Sequence, residues 1–268
     1  MDILNFLQYS FIQKAFFAGS FVAIVCSTLG LFLVLRKMSL IGDGLSHVSF
    51  GAIALGLFLG IYPFYIAVPA VMIASILILK ISEKAKVYGD AAIGIVSAVG
   101  IAGGVILASV SSGFNVDLFS YLFGNVLAIS NTEVILSIIL SLVVLAVIYF
   151  FYWDLFSATF DEEYAKTTGI KTNFINMLIT LLTAITVVLS VKMVGIMLVS
   201  ALLILPAVTA LQLAKGFKMT MVIGSIVSLI SVLLGITLSF FFDLPTGATI
   251  VMVNALFFTL SFLYKKLF

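Results

Sequence analysis

Long apolar runs, broken by charges, glycines and prolines, cover this chain almost from end to end. About 20 consecutive apolar residues make a helix long enough to cross the hydrocarbon core of a bilayer, and a spanning helix satisfies its own backbone hydrogen bonds. The runs therefore predict nine membrane-spanning helices, over 13–35, 38–60, 62–82, 90–111, 133–152, 173–190, 193–213, 220–241 and 246–264. The fold class is all-α: a polytopic helical membrane protein in which residues 1–268 form a single integral membrane domain. The first run is too long for the core of a secretory signal, and Arg36-Lys37 ends it with no small-x-small cleavage motif, so it is read as a retained helix.

Composition supports that reading, with 63% hydrophobic and 9% charged residues. Loops this short leave no room for a built-in ATPase, and the chain contains no GxxxxGK[ST] phosphate loop. The single cysteine, Cys26, lies in an apolar run. It excludes an intrachain disulfide and a thiolate cluster, and it reads as a small residue packed inside a helix.

The net charge of +2 says little, but the placement of the basic residues says more. If the connections alternate sides, one side collects Arg36, Lys37, Lys80, Lys84, Lys86, Lys166, Lys171, Lys215, Lys218, Lys265 and Lys266, leaving Lys14 and Lys192 on the other. The positive-inside rule then puts the amino terminus outside and the carboxyl terminus in the cytoplasm. The outer connection 112–132 carries Asp117, Phe119, Tyr121 and Phe123 without a basic residue, as suits a short interfacial helix that caps the bundle or helps a partner dock. The cytoplasmic connection 153–172 contains Thr159-Phe160-Asp161-Glu162, the pattern of a capping box, and Gly169 as a stop. A short polar helix over about 159–169 follows, either a docking element or an inert linker.

The chain's only histidine, His47, follows Asp43 by four residues inside the second run. Such a pair shares one helix face with Cβ atoms roughly 6 Å apart, and an ionisable residue within hydrocarbon is functional by default. Counted from Lys37 at 1.5 Å per residue, Asp43 falls about 9 Å and His47 about 15 Å into the membrane. A divalent cation favours a carboxylate beside an unprotonated imidazole. One chain offers two such ligands, and a two-fold dimer with this helix at the axis would offer four. Spacing alone leaves three readings open: a metal pathway, a proton relay, and a hydrogen-bonded structural pair.

The stretch Leu35-Arg36-Lys37-Met38-Ser39-Leu40-Ile41-Gly42-Asp43-Gly44-Leu45-Ser46-His47 resembles the signature of permease subunits of the bacterial zinc/manganese ABC importers. The resemblance continues through Asp90-Ala91-Ala92-Ile93-Gly94-Ile95, Tyr121-Leu122-Phe123-Gly124-Asn125-Val126-Leu127, Phe160-Asp161-Glu162-Glu163, 194–207 and Asp243-Leu244-Pro245-Thr246-Gly247-Ala248-Thr249. Gly44 departs from it, standing where alanine is expected. The resemblance implies a type II importer permease in the bacterial inner membrane that catalyses no reaction itself and holds no permanent cofactor. Zinc or manganese, or else iron, would be its cargo. Its implied partners are a second permease copy or a sister permease, cytoplasmic ATP-binding subunits, an extracytoplasmic metal-binding protein and membrane lipid, not nucleic acid. Asp43 and His47 match the pathway ligands, and Asp161, Glu162, Glu163, Ala165 and Gly169 match the helix that couples to the ATPase.

Other marked residues are open to two readings each. Pro206 in a helix makes a packing kink or a gating hinge. Lys192 snorkels to the interface or meets the binding protein. Asp90 reads as a helix N-cap. Met193 and Met197, at helical spacing, read as core rather than a soft-metal relay. Gly56/Gly60 and Gly100/Gly104 are close-packing motifs. The rival functions are a permease for a chelated metal such as a siderophore or cobalamin, and a proton-coupled cation carrier that needs no ATPase.

Overall fold

The structure, a computed structural model, describes residues 8–84, 89–110, 121–122, 124 and 129–267. The described elements are α1 (Ser10–Leu35), α2 (Ile41–Phe58), α3 (Pro63–Lys84), α4 (Gly89–Val110), α5 (Asn131–Phe150), α6 (Tyr152–Phe160), α7 (Glu162–Thr167), α8 (Thr172–Val194), a 3-10 turn (Ile196–Leu198), α9 (Val199–Leu213), α10 (Phe217–Phe242) and α11 (Thr246–Leu267). Among the described residues nine helices are long and apolar enough to span a membrane, matching the nine predicted runs. Most of the outer connection 112–132, together with Lys86, lies outside the described residues, as do the side chains of Lys84 and Lys192.

The core forms around α1 and α8. Leu29, Leu31 and Phe32 of α1 and Ile179, Val187 and Val191 of α8 are all buried. The polar residues of α8 are buried with them. Thr183, Thr186 and Ser190 each donate a hydroxyl to the carbonyl four residues back, at 2.7, 2.8 and 2.6 Å. A dry interior with no water to accept those protons leaves the helix's own carbonyls as partners. Cys26 is fully buried with its Sγ 3.0 Å from the Ser190 hydroxyl, as expected of a packed residue.

Glycines set how closely the helices approach. A Cβ on Gly100 would come within 2.7 Å of the Val48 Cα, and one on Gly51 would run into the Gly100 carbonyl. Thus α2 and α4 meet backbone to backbone, as the Gly100/Gly104 motif predicts. Gly56 instead packs on Pro63, and Gly60 turns the chain at φ +67.

Two boundaries differ from the sequence reading for conformational reasons. α1 ends in a Schellman motif: the Lys37 N–H donates to Val34 O (3.1 Å) and the Met38 N–H to Leu33 O (2.9 Å), with Lys37 left-handed at φ 59. Hence α2 starts at Ile41, not at residue 38. Farther on, the chain breaks at Gly195, φ 87 and ψ 158, a conformation open essentially to glycine alone. Met193 therefore closes α8, buried, whereas Met197 sits in the 3-10 turn, 58% exposed. They do not share a helix face. Asp90 is the second residue of α4 rather than a cap before it, and its Oδ1 accepts from the next N–H, of Ala91 (2.9 Å).

Candidate functional site

Asp43 falls in the first turn of α2 and His47 one turn later. Three residues are lost from the predicted start of the helix, so both lie nearer its end than the sequence count implies. His47 stands about 9 Å along a helix roughly 27 Å long. The Asp43 Oδ2 lies 3.6 Å from the His47 Nε2. That is within ion-pair reach but longer than a hydrogen bond. The aspartate side chain is 48% exposed and the imidazole 24%. The other imidazole nitrogen, Nδ1, is buried without a hydrogen-bond partner.

Packing explains how the pair comes to be open. Gly42 lies against Leu203 and Ser200 of α9, while Gly44 and Val48 lie against Ile93 and Gly100 of α4. These two contacts clamp α2 on both flanks and leave the strip between them, with Asp43 and His47, uncovered. Further along the same strip, at i+7 and i+11 from Asp43, Phe50 and Ala54 are buried. The opening is closed below the pair. Among the described residues no group of three or more His, Cys, Asp and Glu side chains comes together. The described residues of one chain thus present this pair and no fuller ligand set.

The polar segment between α5 and α8 is helical, but it is capped differently from the sequence reading. Thr159 belongs to α6 and donates to Leu155 O (2.6 Å). Asp161 is the N-cap of α7, its Oδ1 accepting from the Tyr164 N–H at 2.9 Å. Gly169 ends the segment at φ 88, as foreseen. Glu163 and Tyr164 point outward, Tyr164 being 62% exposed. Ala165 does not belong with them. It is fully buried, because a helix of two turns must set one face against the bundle, and it sits on that face.

Arg36 ties this segment to the bundle, a role the sequence did not reveal. Its Nη2 donates to the Asn176 Oδ1 (2.7 Å) and to the Ala158 carbonyl (3.0 Å). Burial lowers the guanidinium pKa, and Glu162 nearby partly offsets that. Burial alone would raise the Glu162 carboxyl, but Lys166 at 3.0 Å, Arg36 and Thr172 together hold it below the usual range. In the sequence, Arg36 registers as one positive charge among eleven on its side; only the fold supplies Asn176, 140 residues away.

At the opposite end Ser130 and Glu133 form a complete capping box on α5, with contacts of 2.8 and 3.3 Å. Burial and the adjacent Glu133 raise the Tyr62 phenol. Pro206 is buried mid-helix in α9, which continues through it, whereas Pro69, inside α3, is exposed.

The model of the ABC 3 transport family matches residues 8–265. The chain is 36% identical over 259 residues to the manganese transport system membrane protein MntC of Halalkalibacterium halodurans, covering 97% of this chain and 89% of that one. It is 33% identical over 259 residues to the high-affinity zinc uptake system membrane protein ZnuB of Haemophilus influenzae, covering 97% and 99%. A solved structure, PsaBC from Streptococcus pneumoniae in complex with Fab, matches with a TM-score of 0.88 and 34% identity, over 97% of this chain and 94% of that one. With sequence and fold agreeing along nearly its whole length, the chain belongs to the ABC 3 transport family, as one of its membrane-spanning permeases.

Proposed function

We propose that this permease carries a bare divalent transition-metal ion, zinc or manganese, into the cytoplasm, with Asp43 and His47 as ligands along the path. The open Asp43–His47 pair carries the reading. Donors 3.6 Å apart subtend roughly 120° at a cation about 2.1 Å from each, near the tetrahedral angle. A half-exposed carboxylate facing lipid would be costly, which favours a partner surface or a water-lined path beside it. A second copy across a two-fold axis supplies both, and two aspartates neutralise one 2+ ion. The names of the manganese and zinc relatives agree with this cargo.

In this reading the end bearing Arg36, Lys166 and Lys218 is cytoplasmic, and the amino terminus is outside. Cytoplasmic ATP-binding subunits dock on α7 through Glu163 and Tyr164. Their closure on ATP moves that segment and shifts the dimer between outward-open and inward-open states, with Pro206 as the hinge of α9. An extracytoplasmic binding protein delivers the ion.

The test is uptake by vesicles holding permease, ATP-binding subunits and binding protein, with zinc, manganese and iron in competition. Losing an outer partner of a metal ligand costs 10–100-fold, so Asp43→Asn and His47→Leu are each expected to lower uptake at least ~100-fold while assembly persists. Near-normal uptake by either variant would reduce the pair to a structural contact. Uptake without the ATP-binding subunits would instead favour the proton-coupled carrier.

A further inference from the structure

Aromatic rings gather where α5 passes into α6 and where α10 begins, on helices other than the one that bears Asp43 and His47. Tyr152 and Trp153 lie with centroids 5.2 Å apart, and Phe156 meets Phe217 at 5.1 Å. The Lys218 Nζ stands 5.8 Å from the Tyr152 ring centre and 5.3 Å from that of Trp153. A cation held over rings keeps its full charge. Lys215 is exposed beside it, and the first turn of α10 contains no acidic residue. The ion pairs among the described residues, Asp43–His47 and Glu162–Lys166, leave both lysines unneutralised.

Lys218 borders two adjoining hollows of about 570 and 510 Å³, and Lys215 borders the second. The first is walled by Tyr149 and Phe150 on one side and Met221 and Val222 on the other. From there Val222, Ile226, Ile230 and Leu234 run down α10 as an exposed apolar stripe at helical spacing.

We propose that this groove binds an anionic glycerophospholipid, its phosphate on Lys215 and Lys218, its backbone against Trp153 and Tyr152, and an acyl chain along the α10 stripe. The chemistry of the groove is that of an amphiphile: uncompensated positive charge and interfacial aromatics at one end, continuous apolar surface at the other. A soluble phosphate would match the lysines and leave the stripe bare.

Trp153 is the only tryptophan in the chain, so its fluorescence reports on the groove directly. The permease is reconstituted in phosphatidylcholine vesicles containing bromine-labelled phosphatidylglycerol, and in the mirror mixture with the label on phosphatidylcholine. Phosphatidylglycerol is expected to displace phosphatidylcholine beside Trp153 with about tenfold preference. Lys215→Gln with Lys218→Gln should bring that ratio to about one, whereas Lys215→Arg with Lys218→Arg, which keeps the charge, should retain it. Equal quenching by the two lipids, or a preference that survives the double glutamine change, would overturn the proposal. So would loss of quenching when the ATP-binding subunits are added, which would assign the groove to that protein.

Discussion

At the scale of single residues, the space around a glycine decides what that glycine is for. A Cβ on Gly30 would run into the Leu203 carbonyl, where α1 crosses α9, whereas one on Gly94 meets nothing within 4 Å. Gly30→Ala is therefore expected to push two core helices apart and cost about 1–3 kcal/mol, the usual range for overpacking. Gly94→Ala, exposed on α4, should be neutral or stabilising by up to ~1 kcal/mol. Thermal unfolding of the two variants in detergent measures both, and equal melting temperatures would refute the contrast. Asp43 and His47 were legible at this scale, since charge in an apolar run is visible without a fold. Arg36 was not, because its meaning lies in Asn176 and Ala158, which the sequence places far away.

At the scale of elements, α7 shows how pattern and packing divide the work. The pattern S/T-x-x-D/E occurs at Thr159–Glu162 and at Ser130–Glu133, and only the second forms a capping box. At the first, α6 runs on through Thr159, whose hydroxyl turns back to Leu155, and Asp161 takes over as cap. Burial then sorts the faces of α7. Tyr164→Ala removes an exposed ring and is expected to lower metal uptake and the ATPase response while the permease remains folded. Ala165→Trp forces a large ring into a fully buried position and should cost about 1–3 kcal/mol by overpacking, destabilising the segment itself. Hydrogen exchange over 161–169, read beside uptake, separates the two. Loss of uptake in Ala165→Trp with unchanged protection would restore Ala165 to the docking face.

At the scale of the whole molecule, sidedness is the property most open to test. Cysteine placed at Lys218 and cysteine placed at Ile61 lie at opposite ends of the spans, both exposed. In a Cys26→Ser background the first is expected to react with a membrane-impermeant thiol reagent only from the cytoplasm and the second only from outside; the reverse pattern would invert the proposed topology. The sequence by itself determined that the chain is a nine-span helical bundle, because the bilayer imposes a length and an apolarity on each span that local composition records directly. It also marked the ionisable pair, which hydrocarbon makes conspicuous. Where α2 begins was decided by a local turn that no apolar run records, a left-handed Lys37 with two backbone hydrogen bonds that end α1, and the tertiary structure decided the rest. It alone left Asp43 open and Ala165 buried, and it alone brought Lys218 over Trp153. Those outcomes depend on which helix lies against which, and such pairings join residues too distant in the chain for any local pattern to encode.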